Sequence, residues 1–172
     1  MKRRQSLPLF QTLEPDVYLF DTSAWLNIEP RRDCENVWVI ITALINTGRL
    51  FSCAQVFEEL RDDPIYARLY PYKNALQVGD HDSDDPAYLQ QVGRITHDYP
   101  SMSKARGRKN PADPYIVALA ELEKYIVVAD ETTKRPNRKI PGVCHQRGIR
   151  CLNLDEFIRA VSGTNPNGRK SG

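Results

Sequence analysis

Long hydrophobic runs are missing from this chain, and no apolar stretch approaches membrane-spanning length, so a helical membrane protein is not expected. Cysteine is sparse: Cys34, Cys53, Cys144 and Cys151 form no CxxC pair. We therefore expect buried thiols in a reducing cytosol rather than a zinc ribbon or a disulfide framework. The three histidines stand outside the acidic segments considered below, so the chemistry sought there must run without imidazole. Neither sign of charge dominates. Twenty-four Lys and Arg against 22 Asp and Glu leave +2, too little to imply a nucleic-acid partner on its own. The basic residues are instead clustered, at Lys2-Arg3-Arg4, Lys104 to Lys109, Lys134 to Lys139 and Arg169-Lys170. No internal repeat is visible, and the N-terminus, though basic, has no long apolar segment that would read as a signal. These absences point to a cytoplasmic protein.

What is present is enough for one domain. A chain of 172 residues that is 41% hydrophobic and 27% charged can bury a full core and does not have the composition of a disordered protein. Residues 1–16 read as an irregular N-terminal arm, 17–162 as the folded domain and 163–172 as a disordered basic tail. Apolar runs at 17–20, 50–52, 126–129 and 149–152 suggest strands. Between them, Val37, Ile40, Ile41, Leu44 and Ile45 recur at helical spacing, stopped by Asn46-Thr47-Gly48. Tyr115 to Tyr125 reads as a helix with Asp113 as N-cap and Pro114 in the first position. Short helices are expected at 54–61, 141–146 and 155–161, while residues 62–103 suggest helices broken by the acidic loop His81 to Asp85. Strands alternating with helices define an α/β chain: a three-layer α/β/α sandwich around a mostly parallel twisted sheet.

Four acidic segments are distributed over this frame. Asp21 follows the first apolar run and Asp130-Glu131 follow the third, while Glu58-Glu59 and Asp113 sit on or at the start of helical patterns. In an open parallel sheet, ligands sit beyond the carboxyl ends of the strands. Carboxylates gathered there repel one another unless a hard cation neutralises them, and all-oxygen ligation suits Mg²⁺ or Mn²⁺. Each acid also has a structural reading: Asp21 and Asp113 as helix caps, Glu58 and Glu59 as a solvated face, Asp130-Glu131 as a turn. The combination is more specific than its parts.

The segment Tyr18-Leu19-Phe20-Asp21-Thr22-Ser23-Ala24-Trp25-Leu26 resembles the opening of a PIN domain, the nuclease fold of VapC-type toxins. Glu59-Leu60, Ala112-Asp113-Pro114-Tyr115-Ile116-Val117-Ala118-Leu119-Ala120 and Val127-Val128-Ala129-Asp130-Glu131 follow in the order of that family's acidic motifs. Lys139-Ile140-Pro141-Gly142-Val143-Cys144 and Gly148-Ile149-Arg150-Cys151 further resemble a bacterial PIN subgroup of largely uncharacterised proteins. The likeness spans residues 17 to 161. It implies a Mg²⁺- or Mn²⁺-dependent endoribonuclease in which Asp21, Glu59 and Asp113 bind the metal or its waters. Ser23 would stand behind Asp21. The family's Thr-x-acid motif reads Ala129-Asp130-Glu131 here, which makes Glu131 the fourth acid and Asp130 its alternate.

The expected activity is hydrolysis of RNA phosphodiester bonds by the toxin of a type II toxin–antitoxin pair, with RNA as substrate, a cognate antitoxin as partner and a homodimer as a further option. Arg106, Arg108 and Lys109, just before the Asp113 motif, would hold the RNA backbone against the acids' repulsion; their alternative is a solvated loop. Rival readings are a non-catalytic RNA-binding module of the same fold and a DNA nuclease of related fold. His81 to Asp85 is expected to be a soluble loop, His145 a packing residue, and Tyr66, Tyr70 and Tyr72 a helix face or core edge.

Overall fold

The short apolar runs pair into one sheet: β1 (Tyr18–Phe20), β2 (Leu50–Phe51), β3 (Ile126–Val128) and β4 (Cys151–Leu152). Their order is β2-β1-β3-β4, and every pairing is parallel. The computed structural model describes residues 15–77, 85–102, 112–131 and 139–163. The two central strands are apolar throughout because a parallel sheet is covered on both faces, and all six of their residues are buried.

The pleat sends Tyr18 and Phe20 to the same face. Both meet Phe157 edge-on, with ring centroids 5.0 and 4.9 Å apart. Phe157 belongs to α9 (Leu154–Val161). Phe20 also packs on Trp25 of α1 (Thr22–Leu26), and Trp25 stacks in turn on Trp38 of α2 (Cys34–Asn46). The opposite layer is built from α7 (Asp113–Glu123), which contacts β1, β3, α6 (Pro86–Asp98) and α8 (Ile140–Arg147). The result is an α/β fold of three layers. Chirality accounts for this division. The β1-to-β2 and β3-to-β4 crossovers run outward in opposite directions, and right-handed crossovers of that kind put their helices on opposite faces. The same order makes the gap between the carboxyl ends of β1 and β3 the switch point of the sheet, the usual position of a binding crevice.

The middle of the chain holds α3 (Ala54–Leu60), α4 (Ile65–Leu69), a 3₁₀ turn at Tyr70–Tyr72 and α5 (Lys73–Leu76). Several expectations need correction. Asp113 is not the cap of α7. Ala112 occupies that position, with its carbonyl accepting from Ile116 N at 3.0 Å, and Asp113 is the first helical residue. Ser52 lies outside β2. It bridges to Gln77, and its buried hydroxyl donates to the Phe20 carbonyl and accepts from Trp25 Nε1. His145 is exposed and not packed, and only Cys53 and Cys144 are buried, Cys34 and Cys151 being half-exposed. Tyr66 and Tyr72 do pack half-buried against the core, as a core edge would, while Tyr70 is exposed. The acidic loop 81–84, the arm 1–14 and the tail from 164 lie outside the described residues.

Candidate active site: an acid cluster at the switch point

Asp21 sits where β1 ends. Its backbone N–H still bonds the Val128 carbonyl of β3 at 3.0 Å, while its side chain caps α1. Oδ2 accepts from the Ser23 N–H (3.1 Å) and the Ser23 hydroxyl (2.8 Å). Oδ1 is buried and has no hydrogen-bond partner. Capping therefore accounts for one oxygen of Asp21 and leaves the other unexplained, although a buried polar atom without a partner is normally avoided. The Ser23 hydroxyl in turn accepts from Asp130 N at 2.9 Å and so clasps the ends of β1 and β3 together.

Glu59, on α3, joins two other elements. Its Oε2 accepts from Thr22 Oγ1 at 2.6 Å and its Oε1 from Ala112 N at 3.1 Å, the donor at the mouth of α7. This second bond fixes the start of α7, and with it Asp113. Glu131 is held from α8: Lys139 Nζ donates to Oε1 at 2.5 Å and Ile140 N to Oε2 at 3.4 Å. Asp130 faces elsewhere, with its carboxylate accepting from Leu154 N at the start of α9 and its carbonyl from Asn27.

Electrostatics tie these acids together. Burial pushes the Asp113 carboxyl up to about 8, and the charges of Asp21, Glu131 and Glu59 push the same way, against Lys139. Asp21 is raised to about 6, again by burial first; the Ser23 hydrogen bonds oppose the rise and the charge of Glu131 adds to it. The neighbouring Cys53 thiol is pushed up to about 12 by burial, with Asp21 and Glu59 contributing, so it stays protonated and unreactive.

Of the residues proposed from sequence, Asp21, Glu59, Asp113 and Glu131 thus come within electrostatic reach of one another, with Ser23 beneath Asp21. Arg106, Arg108 and Lys109 lie outside the described residues. Among the described residues, no three His, Cys, Asp or Glu side chains are already drawn together at ligating distance. The donor set nevertheless fits a hard divalent cation: it is all oxygen, it includes a buried oxygen without a partner, and its members destabilise one another's charge. Two grooves elsewhere, one along α2 at Trp38 and Thr42 and one between α7 and α8 at Tyr125 and Arg147, contain none of these acids.

The sequence reading missed two side chains in this cluster, Thr22 and Lys139. Thr22 follows Asp21 directly, and nothing local marks its hydroxyl as a donor to Glu59. Lys139 stands in a basic stretch, and only the tertiary contact at the start of α8 sets it beside Glu131.

The molecule is therefore an α/β protein with an acid cluster at the switch point of a parallel sheet. The model of a family described as a domain of unknown function, DUF4411, matches residues 18–164, and the chain belongs to that family. The chain matches no curated protein.

Proposed function

We propose that this protein is a divalent-metal-dependent endoribonuclease of PIN type, using Mg²⁺ or Mn²⁺ to hydrolyse RNA phosphodiester bonds. The observation that carries the reading is the buried Asp21 oxygen without a partner, set among Asp113, Glu131 and Glu59 at the carboxyl ends of β1 and β3. Asp21 and Asp113 would offer the cation their oxygens directly. Glu131 would complete the set after exchanging its protein donors. Glu59, with both oxygens already accepting, would hold α7 so that Asp113 faces the cluster. Ser23 would keep Asp21 from turning away by fixing Oδ2. A bound divalent cation supplies Lewis-acid activation of water and of the phosphodiester, which explains how the site could work without histidine. RNA as substrate and a toxin's role beside a cognate antitoxin are supported by the resemblance of the four acidic motifs to VapC-type PIN domains.

The experiment is incubation of the purified protein with single-stranded RNA, structured RNA and single-stranded DNA, with Mg²⁺, Mn²⁺ or chelator. Metal-dependent RNA products ending in 5′-phosphate and 3′-hydroxyl are expected. Cleavage that survives the chelator, or 2′,3′-cyclic phosphate ends, would overturn the proposal, and cleavage of DNA alone would reassign the substrate. For the toxin role, growth arrest on expression should be relieved by co-expression of a neighbouring short reading frame.

A further inference from the structure

Lys139 is the cap residue of α8, in extended conformation (φ −122, ψ 142), and its ammonium lies 2.5 Å from Glu131 Oε1. Its charge also acts on Asp113 and Asp21. Glu131 itself is largely enclosed, its side chain 16% exposed, whereas the lysine side chain is 40% exposed, so its head can leave without unpacking the core. Lys139 is thus a half-exposed monovalent cation touching one edge of an acid cluster that contains a buried carboxylate oxygen with no partner. A divalent ion that took the Glu131 oxygen now paired with Lys139 would have to displace the ammonium.

We propose that Lys139 is the built-in counter-cation of this site and that it exchanges with the divalent ion for Glu131: the ion pair closes the metal-free state and opens when metal binds. This rests on the reading of the acid cluster as a divalent-metal site. The exchange sets the metal affinity, because each binding event must break the Lys139–Glu131 pair. An ammonium, a compact charge carrying its three N–H donors on a flexible stem, suits such a role better than a guanidinium, whose planar fork would grip the carboxylate with two bonds.

The test measures Mn²⁺ binding through the free-ion paramagnetic resonance signal, in wild type, Lys139→Met and Lys139→Arg. Lys139→Met keeps the length and removes the charge, and should bind Mn²⁺ about 10-fold more tightly. Lys139→Arg should bind no more tightly than wild type. A second measurement needs no variant: reductive methylation of wild type read by mass spectrometry, in which Lys139 should become several-fold more reactive at saturating Mn²⁺ while the other lysines do not change. If wild type binds Mn²⁺ but Lys139→Met binds equally or more weakly, or Lys139 reactivity is unchanged at saturation, the exchange is wrong and the metal site stands. If neither wild type nor Lys139→Met binds Mn²⁺, both readings fall. If exchange is seen but RNA is not cleaved, the proposed reaction falls and the exchange stands.

Discussion

Asp21 and Asp113 divide the work of a single residue differently, and the difference can be tested by amide substitution. Asp21 spends Oδ2 on capping α1 and keeps Oδ1 for the cluster. Asp113 is not a cap at all. Asn caps about as well as Asp, so Asp21→Asn should keep the fold while metal-dependent cleavage falls more than about 100-fold, beyond the loss typical of groups that merely orient ligands. Asp113→Asn should abolish cleavage equally and, without metal at pH 8, should raise the melting temperature, because it removes a buried charge opposed by three others. Melting curves paired with cleavage rates check both. A loss of stability with full activity in the soluble fraction would return these acids to a structural role. The adjacent pair Asp130 and Glu131 yields a sharper contrast. Glu131→Gln should impair cleavage strongly, while Asp130→Asn, which perturbs only the contact to Leu154 N, should leave the rate within about three-fold of wild type, as surface-like changes usually do. Equal losses would show that Asp130 takes part in the site.

At the scale of elements, the site depends on two joints between pieces far apart in sequence: the Ser23 clasp from β1 to β3 and the Glu59 bridge from α3 to α1 and α7. Removing a joint should misplace an acid without deleting it. Thr22→Val, which keeps the shape and loses the hydroxyl donated to Glu59, is expected to lower cleavage by about 10- to 100-fold, the range for outer groups that orient ligands. Ser23→Ala should do the same and also weaken metal binding, measured by titration. Here the limits of the sequence become physical. The apolar runs and the stop at Gly48, where φ is +65°, were legible because strand burial and left-handed backbone leave local marks. The acids after β1 and β3 were legible because a parallel sheet puts such positions at one edge. The roles of Thr22 and Lys139 were not, since hydroxyls and lysines occur everywhere and only tertiary return gives these two a partner. Asp113 was misplaced by one residue because Asp-Pro begins a helix equally well with Asp as cap or as first residue. The capping box of Asn153 and Glu156 at the start of α9 is another mark that is local in sequence.

For the molecule as a whole, the raised acids predict an inverted acid response. The folded-state values of about 6 for Asp21 and about 8 for Asp113 lie above the ordinary 3.8, so the folded form binds these protons more tightly than the unfolded chain does. Their stabilising contribution is complete below about pH 4 and is lost as pH rises through 6 and then 8. Without metal, the melting temperature should fall across this window, net of the other titrating groups. Divalent cation should reverse the fall at pH 8. At 100 times its dissociation constant, a ligand adds about 2.7 kcal/mol, roughly 5–10 °C for a domain of this size. Asp113→Asn should erase both the pH slope above 6 and most of the metal shift. A melting temperature that rises from pH 5 to 8 without metal would contradict the burial of these acids, and the repulsion added to it, on which the site reading depends.

The Ser23 clasp joins residues 107 positions apart, and it lies between two strands that cannot pair until the later one exists. During synthesis, Asp21 and Glu59 emerge early, yet they have no cluster to join before Asp113, β3 and the α8 segment have cleared the ribosome. A nascent chain, a premature stop before residue 131 or a proteolytic fragment from either half would carry some of the acids and none of their arrangement. Whatever chemistry the acid cluster carries is thereby withheld until the residues through α8 have been made, a form of timing written into strand order alone.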